Sequence, residues 1–530
     1  MRFTFPLAAF ALVSALPLSA RADVVTDWNQ NTVDEIRKLA LGPNPATRTL
    51  AISQIAVYEA VNAITHVHEP YHAALSPTLP VSPPAAAASA AYWSLLLQFP
   101  NEKATLDAEL AVSLQAVPDG AAKQHGLDLG KAAAVDIYTL RLGDGSNATS
   151  TYAGSTDPGK WRPTPRPGGA TPLPALEPWW RYVTPFALTK PEQFRPAAPP
   201  AISSAAFTTA YLETKKLGRI DSTDRTAEQT QIANFWKQAT HVPFNAIARA
   251  ISKAKELSLD DNARLFALLN ITLADTRIAV WDAKYEYGFW RPVTAINTVT
   301  DYGNADAVPD ETWAPLIETP NHPEYPSGHS ITGGGGARLL ATVFGSDAIS
   351  FAVTSDTLPG VTRGFSKLSD AELENANSRI YGGLHYRFSN ETGIALGHQV
   401  ADYVAANYLK AIAPPSNGEG GAAGESGDAA GAPSSAGAVG TGGEAGEVAG
   451  AAGDLGEGGD SGAPTTGGTG GKGGSGGGAG KATVPPLSSE DDEDTSCAVS
   501  RPGGSRGAVG VAALIGVLGL AFARRRKAKR

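Results

Sequence analysis

Apolar residues recur at intervals of three and four through most of residues 33–409, and this spacing constrains the fold more than any other feature. In the segment 45–64, for example, Ala51, Ile55 and Tyr58 lie along one face of a helix. Alternating apolar and polar residues bounded by hairpin turns are not evident. The pattern predicts an all-α protein, a helical bundle with long ordered loops. The helices are expected at 33–41, 45–64, 85–97, 106–117, 121–140, 227–237, 246–257, 262–282, 330–344, 370–381 and 391–409.

Two stretches interrupt the helical pattern. Residues 143–200 are rich in proline and contain Trp161, Trp179 and Trp180, which predicts an ordered loop that wraps the bundle. Residues 301–325 form a proline-containing connection between two helical segments. Since proline removes a backbone donor and disfavours helix interiors, both stretches are expected to be irregular.

The amino terminus resembles an export signal. A basic start at Arg2 precedes an apolar run over 5–18 and the small-x-small spacing of Ala20 and Ala22. This arrangement is typical of a secretory signal peptide over residues 1–22, which predicts an exported chain starting near Asp23. Because the sequence contains one cysteine, an intrachain disulfide is excluded, and core packing must stabilise residues 23–413.

The carboxyl terminus resembles a second localisation signal. Residues 414–496 are rich in Gly, Ala and Ser, a composition that predicts a disordered tether. Within residues 497–530, Cys497 precedes an apolar run over 507–523 and a basic end. This tail resembles sorting signals of the myxosortase type, which implies cleavage and lipid attachment near Cys497. A simple transmembrane anchor is the alternative. Both interpretations predict anchoring at the cell surface or outer envelope, or secretion after tail processing.

The formal net charge of −9 gives no indication of nucleic-acid binding. A local cationic pocket is still compatible with this acidic balance, because part of the acidic excess lies in the tether. The number of subunits is not indicated by the sequence.

The first of three chemically informative clusters is Lys284 with Arg291, followed by Pro292. Seven residues separate the two cations, which places them on the same face if the buried helix predicted over 262–282 continues. Proline biases the preceding arginine away from helical angles, so the guanidinium should lie at a helix end. Two such cations require an anion. A solvated helix face or an ordinary ion pair is the alternative interpretation, because either has the same spacing.

The second cluster is Ser327, Gly328 and His329, directly after Pro326. Ser327 can cap the helix predicted over 330–344, and the N–H of Gly328 is free of a side chain. Helix N-termini favour negative charge, so this cluster is suited to an anion. An ordinary cap and a surface histidine are the alternatives.

The third cluster joins Arg379 to His385 across Gly382 and Gly383. Six residues along a straight helix would place the two side chains on different faces. The paired glycines can let the chain reverse direction, so both side chains are expected to face one pocket. Ser389 or Asn390 is expected to cap the next helix near residue 391.

These clusters resemble the three-part signature of vanadium-dependent haloperoxidases and type 2 phosphatidic acid phosphatases. That signature is Lys-x6-Arg-Pro, then Pro-Ser-Gly-His, then Ser-Arg-x5-His, and residues 284–292, 326–329 and 378–385 match every defining position. Residues 45–64 are similar to the bacterial haloperoxidase-like branch. The resemblance therefore covers nearly all of residues 23–413.

The resemblance implies that the matching residues together bind one oxyanion, which is vanadate or phosphate. It also implies a role for each of them. The donors and cations around it would be Lys284, Arg291, Ser327, Gly328 and Arg379. His385 would be the ligand of vanadium in a haloperoxidase or the nucleophile in a phosphatase, and His329 the general acid–base. The implied partners are hydrogen peroxide, a halide and a small organic substrate.

Two details favour the peroxidase, with a metal-independent acid phosphatase as the alternative. The phosphatase pattern carries an orienting Asp four residues after the last histidine, where this chain has Ser389. His322 lies seven residues before His329, at a position where chloroperoxidases tend to carry Phe and algal bromoperoxidases His. The resemblance thus implies bromide or iodide as the halide, although a loop histidine without a role is the other interpretation of His322.

Overall fold

The all-α prediction is confirmed by a computed structural model that describes residues 23–72, 74–164, 171–299 and 301–412. These residues form thirteen α-helices and one two-stranded antiparallel sheet. The helices are α1 (Val24–Lys38), α2 (Pro43–Thr65), α3 (Pro83–Gln98), α4 (Lys103–Leu114), α5 (Ala121–Leu140), α6 (Ala205–Leu217), α7 (Ala227–Phe235), α8 (His241–Lys255), α9 (Leu259–Tyr287), α10 (Pro292–Asn297), α11 (Gly328–Phe344), α12 (Leu368–Tyr381) and α13 (Arg387–Asn407). Two short 3-10 helices cover Pro100–Glu102 and Pro178–Tyr182.

Helix α9 forms the centre of the bundle. The side chain of Ser258 caps its first turn by accepting a hydrogen bond from the N–H of Asp261 at 3.2 Å. From Asn262 to Tyr285 nearly every residue is buried, because the helix packs against α2, α11 and α13. It ends at Gly288, whose φ of 56° is the left-handed conformation that glycine adopts without strain. The end of this helix delivers Lys284 to the interior.

Four consecutive glycines allow other helices to approach α11 closely. A Cβ at each would lie 2.4 to 3.0 Å from an atom of a different helix, so no larger residue fits without movement. The nearest atoms belong to Asn375 in α12 for Gly333, Ile394 in α13 for Gly334, Thr276 in α9 for Gly335 and Phe244 in α8 for Gly336. Four helices therefore approach α11 closely along this run.

The structure adds a β-hairpin that the sequence analysis missed. Strands β1 (Phe351–Thr354) and β2 (Thr362–Phe365) pair antiparallel, with Phe351 opposite Phe365. Phe351 and Val353 are buried while the residues between and after them are exposed, so the alternation is real but only four residues long. Helices α6, with 13 residues, and α10, with 6 residues, were also missed.

The expected start of the last helix was wrong by about one turn. Helix α13 begins at Arg387, with Tyr386 as its N-cap, rather than near residue 391. Asn390 does not cap, because its side chain lies inside the helix and bonds to other elements. Its amide donates to the carbonyl of Ala376 at 2.7 Å and its oxygen accepts from the hydroxyl of Ser330 at 3.1 Å. Long-range partners therefore override the local capping preference.

The predicted signal peptide (residues 1–22), tether (414–496) and sorting tail (497–530) lie outside the described residues and stay predictions. The catalytic-domain boundaries at residues 23 and 413 also stay predictions. Within the ranges that the structure describes, no helix has both the length and the apolar character to cross a bilayer.

Replacing Gly397 with Ala should destabilise the protein. A Cβ at this position of α13 would lie 2.3 Å from the carbonyl oxygen of Ile331, a backbone atom that cannot turn away. We expect the free energy of unfolding to fall by about 1–3 kcal/mol, as in other overpacked cores. Helix propensity alone predicts a gain of about 1 kcal/mol, so the sign of the change is decisive. Chemical denaturation measures it. The control is Gly364→Ala, where a Cβ meets no atom within 4 Å.

Candidate active site

Three chain segments bring the signature residues together. The first is the end of α9 with the N-cap of α10, which carries Lys284 and Arg291. The second follows the cis peptide bond between Tyr325 and Pro326 and opens α11. The third is the end of α12 with the turn after it, which carries Arg379 and His385. All the signature side chains except the half-buried His329 are buried.

The turn after α12 places Arg379 and His385 in one site. Gly382 ends the helix and Gly383 adopts a φ of 77°, which reverses the chain. The N–H groups of Leu384 and His385 both donate to the carbonyl of Arg379, at 2.9 and 3.3 Å. The paired glycines thus have the effect expected from the sequence.

Lys284 is fully buried and is held by backbone oxygens. Its ammonium donates to the carbonyls of Pro323 and Glu324, at 2.8 and 2.7 Å. An ammonium has three N–H donors, so one remains for a ligand. Burial, and after it the positive charge of Arg291, holds the pKa of Lys284 well below its usual range. A nearby anion would therefore stabilise its charged form.

Arg291 spans two histidines. Its Nη1 lies 3.2 Å from Nε2 of His385 and its Nη2 lies 3.0 Å from Nδ1 of His322. The same guanidinium donates to the carbonyls of His322, at 2.9 Å, and Leu384, at 3.0 Å. Burial lowers the pKa of Arg291 to about 10, so it stays charged at neutral pH. It has extended backbone angles at the N-cap before Pro292, as the sequence predicted.

The hydrogen bonds of His385 define its tautomer. A guanidinium can only donate, so Nε2 beside Arg291 must present its lone pair. Nδ1 therefore carries the proton and donates to the carboxylate of Glu324, at 2.7 Å. Burial, followed by the charges of Arg291 and Lys284, holds the pKa of His385 well below its usual range. The ring is neutral, and its Nε2 is suited to bind an electrophile.

Glu324 is the functional residue that sequence reasoning missed. Its carboxylate accepts from Nδ1 of His385 and, at 3.1 Å, from the N–H of Tyr386. Burial raises the pKa of Glu324 to about 7, although Lys284 and Arg291 oppose this shift. The only signal in the sequence was an acidic residue three positions before Ser327.

The finding corrects the argument drawn from Ser389. Its side chain does not replace the orienting Asp of the phosphatase pattern, since its hydroxyl lies 3.5 Å from Nδ1 of His385. Glu324, from a different segment, supplies that carboxylate instead. The serine at position 389 is therefore not evidence against a histidine nucleophile.

His329 has a partner for its Nε2 in either protonation state. Nε2 lies 3.2 Å from the carbonyl of Gln238, which can only accept, and 3.3 Å from Nη1 of Arg379, which can only donate. Burial, and next the charge of Arg379, holds the pKa of His329 well below its usual range. It is therefore neutral and able to accept a proton.

Arg379 is held by the main chain of α7 and the residue after it. Its Nη2 donates to the carbonyl of Trp236 at 2.7 Å, and its Nε to the hydroxyl of Ser378 at 2.9 Å. Burial lowers the pKa of Arg379 to about 9, so its guanidinium is charged at neutral pH. These bonds fix the orientation of the guanidinium.

The start of α11 is built as the sequence predicted. Ser327 is the N-cap and accepts from the N–H of Ser330 at 3.4 Å and from its hydroxyl at 2.9 Å. At Gly328, a Cβ would lie 2.9 Å from Nη1 of Arg277 and 3.8 Å from Cε of Lys284. Glycine therefore leaves space between two cations, and Arg277 joins the site although it is outside the signature.

A cavity of about 150 Å³ unites the predicted residues. Its lining includes five of them, together with Arg277. The five are His322, Gly328, His329, Arg379 and His385. In the described structure Lys284, Arg291 and Ser327 are set behind this lining. They reach the site through Gly328 and His385, which they contact or approach.

His322 is buried against the ring of Trp281, with 4.9 Å between ring centroids. Its Nδ1 also lies 3.1 Å from the carbonyl of Pro323. The residue lines the cavity, so it is placed where a bound ion can contact it. Its effect on halide choice stays a prediction.

The cavity suits a multiply charged oxyanion. Cations at three helix ends, the open N–H of Gly328 and a neutral histidine lone pair are the groups that such an ion needs. Burial lowers the pKa of each cation, and a bound anion would stabilise their charged forms.

Comparison with known proteins agrees with this geometry. Residues 264–414 match a family described as the VCPO second helical-bundle domain. Vanadium chloroperoxidase of Curvularia inaequalis is 27% identical over 281 residues, which is 40% of this chain and 45% of that protein. The chain thus matches less than half the length of this curated relative.

Solved structures extend the likeness to the full fold. The first bacterial vanadium-dependent iodoperoxidase superposes with a TM-score of 0.65 at 25% identity, covering 75% of this chain and 100% of that chain. The apo form of a bacterial vanadium-dependent chloroperoxidase gives a TM-score of 0.57 at 17% identity, covering 69% of this chain and 94% of the other. The second likeness shows the fold alone.

Replacing Gly328 with Ala should weaken oxyanion binding without unfolding the protein. The added Cβ meets Nη1 of Arg277, a side-chain atom, so no backbone has to move, but the space between the two cations is filled. We expect the dissociation constant for orthovanadate to rise about tenfold, or ~1.4 kcal/mol. Isothermal titration calorimetry measures it. Gly143→Ala is the control, since a Cβ there meets nothing within 4 Å. Unchanged affinity in Gly328→Ala would place the oxyanion elsewhere.

Proposed function

We propose that this chain is a vanadate-dependent haloperoxidase that oxidises bromide or iodide with hydrogen peroxide. Halide, peroxide and one proton give hypohalous acid and water, and the hypohalous acid halogenates a small organic substrate. The observation that carries the proposal is the neutral His385, which lines the cavity together with Arg277 and Arg379 and whose unprotonated Nε2 lies 3.2 Å from Nη1 of Arg291. When bound, vanadate supplies a Lewis-acidic centre that activates peroxide.

The residues around the cavity have different roles in binding the oxyanion. Lys284, Arg291 and Arg379 balance the charge of the oxyanion, and Ser327 and the N–H of Gly328 add hydrogen bonds. Nε2 of His385 is the vanadium ligand, held in that tautomer by Glu324.

His329 is the general acid–base. It accepts a proton from hydrogen peroxide and returns a proton as hypohalous acid forms. Its depressed pKa keeps it neutral to well below pH 6.5, so it is ready to accept that proton over the neutral and mildly acid range. The carbonyl of Gln238 accepts from Nε2 when it is protonated, and Arg379 donates to it when it is not.

The composition supports an oxidising rather than a hydrolytic reaction. The single Met is residue 1 and the single Cys is residue 497, so residues 23–412 contain neither sulfur side chain. Thioethers and thiols are the side chains that strong oxidants attack most readily. A domain that releases hypohalous acid benefits from lacking them, whereas a phosphatase has no such need.

Export and surface attachment complete the proposal. The signal peptide over 1–22 and the tail over 497–530 would place the enzyme at the cell envelope, or outside the cell after tail processing. In that location hypohalous acid forms outside the cytoplasm.

Vanadate-loaded protein should brominate a phenolic dye in the presence of peroxide and bromide. His385→Ala should reduce this activity to background, because the replacement removes the vanadium ligand. Dye bromination followed by absorbance measures both proteins, with iodide and chloride tested in parallel. Phosphate-monoester hydrolysis inhibited by vanadate, without halide oxidation, would instead support an acid phosphatase. Glu324 supplies the orienting carboxylate that such an enzyme would need.

Arg379→Ala should lower turnover about 10²–10³-fold at saturating vanadate, as for other donors to a developing oxyanion. The guanidinium is buried beside His329, so no water can replace both its charge and its orientation. Arg338→Ala is the matched control, because Arg338 pairs with Asp402 on the surface. Near-wild-type turnover in Arg379→Ala would contradict this role.

A further inference from the structure

The cavity has a second polar end that the proposed chemistry does not use. Thr240 and His241, at the start of α8, line it together with Arg277 from α9. Their positions face the same space as His329 and His385, since all of these residues share one lining. The question is what ligand such an end would bind.

Two buried polar groups at this end have no protein partner among the described residues. Thr240 is the N-cap of α8, yet its side chain makes no capping hydrogen bond, and its Oγ1 is buried and unsatisfied. Nε2 of His241 is buried and unsatisfied as well. Leaving a buried hydroxyl or imidazole nitrogen unpaired costs about 1–3 kcal/mol each, so a ligand is the natural partner.

The charge at this end favours an anion. The guanidinium of Arg277 is held by Asn44, to whose Oδ1 its Nε donates at 2.8 Å, and it rests on the ring of Trp281 at 4.3 Å. Its positive charge reaches both His241 and His329, because it contributes to the lowered pKa of each. The helix dipole at the N-terminus of α8 adds positive potential beside Thr240.

The remaining wall is mixed. Lys237, Glu318 and Thr319 belong to it, and so do the apolar side chains of Leu173, Leu176, Ile317 and Leu384. Apolar side chains cannot replace the hydration shell of a small, strongly hydrated ion. A large monovalent ion such as bromide or iodide loses less hydration on burial, so it fits one guanidinium, one hydroxyl and apolar neighbours.

We propose that Thr240 and His241, at the N-terminus of α8, form a halide-binding subsite beside the oxyanion site, with Arg277 shared between the two. This inference rests on the proposed function, since it assigns the halide of that reaction to a place in the cavity. The subsite holds the halide on the α8 side of His329, while the oxyanion occupies the side of His385 and Arg379.

Thr240→Val tests the subsite, because it keeps the shape of the side chain and removes the hydroxyl. We expect the KM for bromide to rise about tenfold, the loss typical of a hydrogen bond to a charged group. The KM for peroxide and the dissociation constant for orthovanadate should not change. Thr240→Ser is the matched control, because it retains the hydroxyl and should keep the KM for bromide near wild type.

Direct binding separates this inference from the proposed function. Anomalous diffraction from crystals soaked in sodium bromide should place bromide within hydrogen-bond distance of Thr240 Oγ1 and His241 Nε2, with no peroxide or vanadate present. Bromide at this place in a protein without haloperoxidase activity would sink the proposed function and keep the subsite. An active enzyme with no bromide there would sink the subsite alone. A bromide peak without any change of KM in Thr240→Val would mean binding at crystal concentration only. If Thr240→Val changed the KM for the organic substrate instead, this end of the cavity would belong to that substrate. Binding at crystal concentration only, or a role for the organic substrate, would each overturn the inference.

Discussion

The burial of several cations around one small cavity is the constraint on which the rest of the site depends. Lys284, Arg291 and Arg379 are all buried, and Glu324 is the carboxylate that lies among them. Two like charges 4 Å apart repel by about 4 kcal/mol at an effective dielectric of 20, so the cluster is costly without an anion. The fold tolerates it because main-chain carbonyls hold each cation at a helix end. The site is thus preorganised for an oxyanion rather than assembled by one.

Close helix packing makes this arrangement possible. The four glycines 333–336 let neighbouring helices approach α11, which brings the ends of α9 and α12 to the same cavity. A bulkier residue in this run would separate those ends and so move the cations apart. The glycines therefore act on the chemistry through distance, although none of the four lines the cavity in the described structure.

Local pattern and long-range contact account for what the sequence did and did not predict. Most helices, the cap at Ser327 and the reversal at Gly383 follow from short-range rules, and the structure has all of them. Glu324 was missed because its partner lies 61 residues away, and no local pattern indicates that pairing. The start of α13 was misplaced for a similar reason, since Asn390 bonds to Ala376 and Ser330 instead of capping. Arg277 lies seven residues before Lys284 on the same helix face, a signal that was present but not used.

The histidines of the site show how one environment supports two chemical roles. Burial and the surrounding cations make both His329 and His385 neutral, so each retains a lone pair. Their hydrogen bonds then separate them. Glu324 holds the Nδ1 proton of His385 and leaves its Nε2 as a permanent acceptor, which is the property of a ligand. Nε2 of His329 lies between a group that only donates and one that only accepts, so it can gain or lose a proton without losing a partner. The surrounding cations therefore keep both rings neutral, and the different hydrogen-bond partners separate the ligand role from the proton-transfer role that we propose for them.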